Sequence, residues 1–297
     1  MTTPPTPQAP YQQQAQPYPQ QPPAAQPTRQ GAVTAHYASP IPQRRATLGD
    51  ALASEWTKIR SVRSTMWTLG VMSALLLAIG LLSAIAVNAS GMALNETPVL
   101  SFGFFGVLLG SICVITLGVM TIASEYGTGM IRTTLTACPS RARVLTAKAI
   151  VFFLLTFVIT TVMTALVGVL QTAVLDGVEP SGGEWLRATV GVGLYIATLG
   201  LLSLAVGALI RHSAGAITIM IAVVLLPLVL AMFMFSQSLA DVQQALFEYS
   251  IPSQLGAFYD ASVASSGPSG WEPLWIMLGV TAVAMAGAYT ALDRRDV

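Results

Sequence analysis

The chain has 297 residues, of which 54% are hydrophobic and 9% are charged, and its formal net charge is +1. Soluble domains carry about 25% charged residues, so this composition excludes a soluble globular protein and predicts an integral membrane protein. The net charge is too small to indicate a nucleic-acid partner or an acidic substrate.

The first 43 residues consist mainly of Pro, Gln, Ala and Thr. Such a segment cannot bury a hydrophobic core, so residues 1–43 are predicted to form a disordered cytoplasmic tail. The tail has no apolar run long enough for the core of a cleaved signal peptide, so we expect the first membrane helix to direct insertion. It is interpreted either as a spacer or as a docking arm for a partner.

An amphipathic helix is predicted over residues 48–63, ahead of the first long apolar block. Its apolar side chains recur at helical spacing, which favours a helix lying on the cytoplasmic surface of the membrane. Glu55 lies inside the apolar stripe, and two interpretations of it remain open. It pairs with Lys58 one turn later, or it meets a cation on a neighbouring helix or partner. The stripe consists of Leu48, Leu52, Trp56, Ile59 and Val62.

Six apolar blocks are long enough to cross a bilayer, which takes about 20 helical residues. All five Trp residues lie at or just beyond a block end, where amphipathic rings favour the headgroup layer. We therefore expect an all-α integral membrane protein whose residues 44–297 form one six-helix transmembrane domain. The predicted spans are residues 66–87, 99–123, 149–170, 188–210, 214–235 and 273–292.

Basic residues are concentrated on one of the two sides that these spans define. Arg187 falls on one side, and the other thirteen of the 14 basic residues fall on the opposite side. Lys and Arg are enriched in cytoplasmic loops, so both termini are predicted to be cytoplasmic. The thirteen residues are Arg29, Arg44, Arg45, Lys58, Arg60, Arg63, Arg132, Arg141, Arg143, Lys148, Arg211, Arg294 and Arg295.

Small residues within the spans predict close helix packing. Stripes of this kind favour packing seams over substrate contacts, because small side chains let helices approach closely in lipid. In the external loop, residues 236–271, apolar patterning predicts short helices that cover the outer mouth, the first of them ended by Pro252. The small residues are Gly193, Gly200 and Gly207 in the fourth span and Gly103, Gly106 and Gly110 in the second.

Several kinds of chemistry are missing from the sequence. No Asp, Glu, His or Lys lies in the middle of a predicted span, which disfavours an ion-coupled carrier. The only lysines, Lys58 and Lys148, do not follow a Gly-rich turn, and no HExxH motif occurs, so neither a P-loop nor that zinc site is present. Cys113 and Cys138 are not expected to form a disulfide. The chain is predicted to be no enzyme and to hold no metal or cofactor.

The cytoplasmic segment over residues 124–148 carries the most specific pattern. Gly127 and Gly129 are predicted to break the membrane helix at the interface, because glycine disfavours a helix interior. A short helix is predicted over residues 130–137, and Pro139 ends it.

The charged residues of this segment have two interpretations. Arg132, Arg141 and Arg143 are either ordinary topology signals or functional residues. Glu125 lies about two helical turns before Arg132, so the two can pair if the helix bends at the glycines rather than breaks.

Over residues 48–297 the sequence resembles the permease subunits of ABC transporters of the ABC-2 type, in particular actinobacterial multidrug or antibiotic-export permeases. The stretch Ser-Glu-Trp-Thr-Lys-Ile-Arg at residues 54–60 is similar to the family's amphipathic connecting helix. Glu-Tyr-Gly-Thr-Gly at residues 125–129, followed by Arg132, Pro-Ser-Arg at residues 139–141 and Lys148, is the most specific match. The six-span order with a long, partly helical last loop also agrees, whereas the Pro/Gln tail departs from the family's usual pattern.

This resemblance implies the membrane-spanning permease subunit of an ATP-driven exporter in the bacterial cell membrane. ATP and Mg²⁺ would bind a separate cytoplasmic ATPase subunit, and a second permease chain, identical or different, would complete the translocation path. Membrane lipid is an expected partner and nucleic acid is not. The implied residues are Glu125, Gly127, Gly129, Arg132 and Arg141 for coupling to the ATPase, and Glu55, Trp56 and Lys58 for the surface helix.

Two other functions remain open at this point. One is a non-transporting membrane anchor or sensor, whose tail and cytoplasmic loops recruit a partner. The other is a gradient-driven carrier, whose transport would survive loss of an ATPase and collapse with the proton gradient.

Overall fold

The computed structural model describes residues 46–91, 94, 97–261 and 266–294. The predicted tail over residues 1–43 lies outside these ranges, as do Arg44, Arg45 and Arg295. The described residues fold into helices joined by turns. The α-helices are α1 (Leu48–Ser61), α2 (Arg63–Ser90), α3 (Phe104–Gly127), α4 (Met130–Ala137), α5 (Arg141–Val174), α6 (Gly182–Leu186), α7 (Val192–Ile210), α8 (Ser213–Phe233), α9 (Ala240–Glu248), α10 (Ile251–Ala257) and α11 (Glu272–Arg294).

Six helical segments in the described ranges are long and apolar enough to cross a membrane. They confirm the all-α fold and the six predicted spans. Most of them extend beyond the predicted ends, although α8 ends at Phe233, two residues before the predicted 235. The segments are Arg63–Ser90, Val99–Gly127, Arg141–Val174, Gly182–Ile210, Ser213–Phe233 and Glu272–Arg294.

The third spanning helix, α5, begins eight residues earlier than the predicted span, at Arg141 rather than at residue 149. Ser140 caps it, because its side chain accepts a hydrogen bond from the Arg143 backbone N–H. At 1.5 Å per residue its 34 residues extend about 50 Å, against about 30 Å of bilayer hydrocarbon. The polar first turns of α5 therefore project beyond the apolar layer. The predicted span was too short because a run of apolar residues marks only the part of a helix that contacts lipid.

The fourth spanning segment lies at the centre of the bundle. Its helix α7 packs against α3, α5, α8 and α11. In the most apolar 18-residue stretch of this segment 72% of the residues are buried, compared with 22–56% in the other five segments. A π-helical turn at Arg187–Gly191 joins α6 to α7, so this segment begins at Gly182 rather than at the predicted residue 188.

Glycines allow α7 to approach its neighbours closely, which confirms the predicted packing seam. A Cβ atom at Gly200 would lie 2.6 Å from the Phe152 ring and 2.9 Å from a Val114 methyl group. On the facing helix α3, a Cβ atom at Gly118 would lie 2.5 Å from the Gly200 carbonyl oxygen. Real side chains do not tolerate such distances, so α3 and α7 keep this spacing only with glycine at both positions.

The two ends of the bundle differ in charge and in structure. We call the end that carries α1, α4 and the start of α5 the basic end, and the opposite end, which carries α9 and α10, the acidic end. The start of α1 and the last turn of α11 both lie at the basic end, because Arg143 donates to the Ala46 carbonyl and Arg141 to the Leu292 carbonyl.

Two short helices cover the acidic end, as predicted. Helix α10 is buried and contacts α3, α8 and α11, and the Gln254 side chain accepts a hydrogen bond from the Tyr195 hydroxyl of α7 (3.3 Å). The predicted role of Pro252 is wrong: α9 ends at Glu248, and Pro252 lies in the first turn of α10. A helix start accepts proline because its first N–H groups have no partner within the helix.

We expect Gly200→Ala to destabilise the bundle by about 1–3 kcal/mol, the usual cost of overpacking a tight contact, because the added methyl group meets Phe152 and Val114. The measurement is the apparent melting temperature of the purified chain in detergent. Gly279→Ala on α11 is the matched control, since a Cβ atom there has no neighbour within 4 Å. An equal effect of the two substitutions would contradict the proposed tight seam.

Candidate functional site

Four charged side chains from α1, α3 and α5 form a closed ring at the basic end. Lys58 Nζ donates to Glu55 Oε1 (2.7 Å) and to Glu125 Oε1 (2.8 Å). Lys148 Nζ donates to Glu55 Oε2 (2.9 Å) and to Glu125 Oε1 (2.7 Å). Acidic and basic groups therefore alternate around the ring, and we call these four residues the charge ring.

The charge ring is buried and its formal charges sum to zero. The Lys148 side chain is 1% exposed, those of Glu55 and Glu125 are each 7% exposed, and that of Lys58 is 30% exposed. Transfer of an isolated charge into such a site costs several kcal/mol, and only excellent pairing offsets that cost. Each charge of the ring is thus tolerated because the other three are present.

Local structure positions each member. A capping box between Thr47 and Asp50 begins α1, and Glu55 and Ile59, one turn apart, form the buried face of this helix. Glu125 lies in the last turn of α3. Both interpretations of Glu55 hold, because its two carboxylate oxygens bind Lys58 of the same helix and Lys148 of a neighbouring one.

The pKa of Lys58 follows from this arrangement. Burial by itself lowers the pKa of an ammonium group, but the hydrogen bonds and negative charges of Glu125 and Glu55 outweigh burial and raise the pKa of Lys58 above its ordinary value. Lys58 is therefore charged throughout the physiological pH range.

The short helix α4 stands beside the charge ring. Gly129, with φ of +73°, precedes its first residue, which confirms the predicted break and the helix over residues 130–137. Ile131 is buried against the bundle, and Thr134 Oγ1 lies 3.5 Å from Lys58 Nζ. Arg132 is exposed on the outer face, and Gly127 is exposed at the break. The Glu125 carboxylate binds the two lysines, so the helix breaks rather than bends toward Arg132.

The remaining predicted residues lie around the ring and make different contacts. Arg141 Nη1 donates to the Leu292 carbonyl of α11 (2.6 Å), so its guanidinium holds two spanning helices together. Trp56 is 46% exposed and lies on α1 next to the buried Glu55. Of the predicted coupling residues, the structure thus brings Glu125 into the ring and leaves Gly127, Gly129 and Arg132 on the outer surface.

Sequence reasoning did not select Lys148, although it is the most deeply buried charge of the ring. It was recognised as part of the motif that resembles the ABC-2 permeases, without a role of its own. A signal was present, because Lys148 shares a helical face with Val144, Leu145 and Val151, all of which are buried. A lysine within an apolar stripe needs a buried carboxylate, and its partners come from distant parts of the chain.

The acidic end has a different polar arrangement. Arg187, the one basic residue predicted on that side, pairs with Asp260. Beside this pair lies a cavity of 160 Å³, whose lining includes Glu179, Glu184 and Tyr259.

We expect Lys148→Met to destabilise the chain by about 3–5 kcal/mol, because it leaves two buried carboxylates with a single ammonium partner. The measurement is the apparent melting temperature in detergent, with Lys148→Ala as a second variant. Adding Glu55→Gln to Lys148→Met restores neutrality, with only Glu125 and Lys58 charged. The double variant is therefore expected to be more stable than the sum of the two single effects. Strict additivity would refute a ring that acts as one unit.

The raised pKa of Lys58 predicts a loss of stability in alkali. Its folded pKa lies above the unfolded value of about 10.4, so its contribution is complete below that pH and is lost as the pH rises through the folded pKa. Lys58→Arg is the matched variant, because the guanidinium stays protonated. We expect the melting temperature of the unmodified chain to fall relative to Lys58→Arg above about pH 10.4. Parallel pH profiles would contradict the prediction.

Comparison with known proteins agrees with this architecture. The sequence model of the ABC-2 family transporter proteins matches residues 69–297, which include five of the six spanning segments and most of the first. No curated protein matches the chain significantly. The match includes Glu125, α4 and Lys148, whereas α1 with Glu55 and Lys58 precedes it. The family supplies the membrane component of ABC transporters rather than the catalytic subunit. This multi-pass membrane chain belongs to the ABC-2 family of transporter proteins.

Proposed function

We propose that the chain is the membrane-spanning permease subunit of an ATP-driven exporter, and that a separate ATPase subunit docks on α4 at the basic end. The family membership supports a permease role, and the observation that carries the docking site is the position of α4. It is a short helix exposed on one face and in contact with a buried charge ring on the other.

The orientation follows from the distribution of charge. Among the described residues, the arginines of α1, α2, α4 and the α7–α8 turn all lie at the basic end, and Arg187 lies at the acidic end. Under the positive-inside rule we place the basic end, and with it both ends of the transmembrane domain, in the cytoplasm, where ATP is available.

The outer face of α4 has the chemistry of a docking surface. Met130 is 50% exposed, and Arg132, Thr133 and Thr136 are also exposed, whereas Ile131 faces the bundle. Met and Arg are enriched in protein interfaces. A partner with an acidic groove would cover this face, and Arg132 would pair with its carboxylates.

The charge ring would transmit motion from α4 to the membrane helices. Lys58 lies within hydrogen-bond distance of Thr134 on α4 and also binds Glu55 and Glu125. Lys148 extends the same set of contacts to α5. Separating a buried ion pair costs several kcal/mol, so α1, α3 and α5 would move together when ATP-driven closure displaces α4.

We assign ATP binding and the second half of the translocation path to partner subunits. ATP and Mg²⁺ would bind the ATPase subunit, and a second permease chain would complete a translocation path between the two copies. The proposed substrate is an amphipathic compound. A gradient-driven carrier is disfavoured because no Asp, Glu, His or Lys lies in the middle of a predicted span to couple an ion gradient.

We expect Arg132→Glu to weaken capture and stimulation of the ATPase more than about tenfold, because like charges placed across an interface cost several kcal/mol. The measurement is the amount of P-loop ATPase that co-purifies with the chain from mild detergent, together with its ATPase rate. Arg294→Glu at the end of α11 is the matched control, since it is also an exposed arginine at the basic end. Arg141→Ala is a less direct probe, because it also removes the hydrogen bond to Leu292.

Two results would overturn this proposal. If Arg132→Glu and Arg294→Glu reduce ATPase capture equally, α4 is not the docking element. If the unmodified chain captures another cytoplasmic protein and no ATPase, the anchor or sensor function replaces the exporter.

A further inference from the structure

An apolar groove lies between α1 and the outer face of α5, close to the charge ring. Leu52, Ala53 and Trp56 of α1 form one wall, and Leu154 and Val158 of α5 are part of the other. Its volume is 560 Å³, within the range of about 300–1,000 Å³ typical of ligand sites. Only apolar surface lines it, which favours an apolar group such as an acyl chain as its occupant.

The charge ring determines which face of α1 borders the groove. Glu55 and Ile59 are buried against the bundle, which turns the adjacent face of the helix toward the groove. Leu52, Trp56 and Arg60 follow one another at intervals of four residues and lie on that adjacent face. The apolar wall therefore continues directly into an arginine.

Two arginines follow the α1 wall along the chain, Arg60 in the last turn of α1 and Arg63 at the start of α2, and neither has an acidic partner among the described residues. Arg60 and Arg63 are both exposed, and the nearby acids are used elsewhere: Asp50 in the cap of α1 and Glu55 in the charge ring. A guanidinium group binds phosphate oxygens in a bidentate manner. A phosphate placed here would supply the missing negative charge.

We propose that this groove binds an anionic phospholipid of the adjacent leaflet, with one acyl chain between α1 and α5 and its phosphate on Arg60 and Arg63. The wall of α5 belongs to a spanning helix whose Leu154 and Val158 are each 53% exposed, so the groove opens toward bilayer hydrocarbon. Trp56 of the opposite wall is a residue type that favours the membrane–water interface.

Charge also distinguishes the lipid from a second copy of the chain. A symmetric pair of chains packed through this face would place the same surface on both sides of the interface. Arg60 and Arg63 of both copies would then lie at one interface, and the wall residues that it shares supply no acidic partner. An anionic lipid satisfies the apolar wall and the arginines together.

The site would stabilise the position of α1, which contributes Glu55 and Lys58 to the charge ring. Basic residues near an anionic membrane surface each contribute about a fivefold gain in binding. The proposal requires only that the chain spans a membrane, so it does not depend on the ATPase or on the direction of transport.

The test uses the full chain in nanodiscs that contain a trace of phosphatidylglycerol or phosphatidylcholine with a photoreactive acyl chain. After illumination, labelled peptides are mapped by mass spectrometry. We expect phosphatidylglycerol to label residues 150–158 about 25-fold more than phosphatidylcholine does, because two arginines contribute. Arg60→Gln should reduce this preference about fivefold, and adding Arg63→Gln should abolish it. Ala53→Trp should reduce labelling by both lipids because the indole fills the groove.

Matched controls separate the site from general effects on the membrane. Arg294→Gln removes an exposed arginine away from the groove, and Ala74→Trp adds an indole to the exposed face of α2. Both should leave labelling of residues 150–158 unchanged. Equal labelling by the two lipids, or equal effects of test and control variants, would overturn the proposal. Efficient disulfide cross-linking between two chains carrying Leu154→Cys would also overturn it, because a second copy would then occupy the groove.

Discussion

The neutrality of a buried charge ring is the constraint on which the basic end of this protein depends. Lys148 is 1% exposed, so its ammonium group is stable only where Glu55 and Glu125 both reach it. That requirement places α1 against α5 and the last turn of α3 against both. Lys58 completes the balance of charge and brings the ring to within hydrogen-bond distance of α4. A single electrostatic condition thus positions the three consecutive helices α3, α4 and α5 and joins them to α1, which precedes α3 by more than 40 residues.

The ring and the glycine seam are complementary means of holding the bundle together in lipid. Within the bilayer, hydrocarbon competes with apolar side chains for every surface, so helices associate through close packing of small residues. Gly118 and Gly200 supply that packing between α3 and α7. At the basic end the chain leaves the hydrocarbon, and charge pairing becomes the stronger constraint. Helix α3 takes part in both, which makes it the direct connection between the ring and the centre of the bundle.

The fold was largely predictable because lipid imposes strong rules on sequence. Six long apolar blocks, the break at Gly129 and the short helix α4 followed from composition and local propensity. The start of α5 was missed because its first turns are polar, and Pro252 was misplaced because proline is compatible with a helix start as well as a helix end. At the site, Glu55 was recognised as anomalous within an apolar stripe. Arg141 was assigned to coupling, and its contact with the Leu292 carbonyl could not be predicted, because 151 residues separate the two.

The sequence by itself determined that this chain spans a membrane six times and presents a short basic helix at one end, since those features depend on composition and on residues close in the chain. Only the tertiary structure decided how the buried charges are paired. Glu125 pairs with Lys58, which is 67 residues away, and with Lys148, which is 23 residues away, and neither separation is visible in a local pattern. The physical reason is that insertion of each helix into lipid depends on its own hydrophobicity, which the local sequence contains. Pairing of a buried charge depends on which groups lie close to it in space, and that proximity arises only when the helices pack.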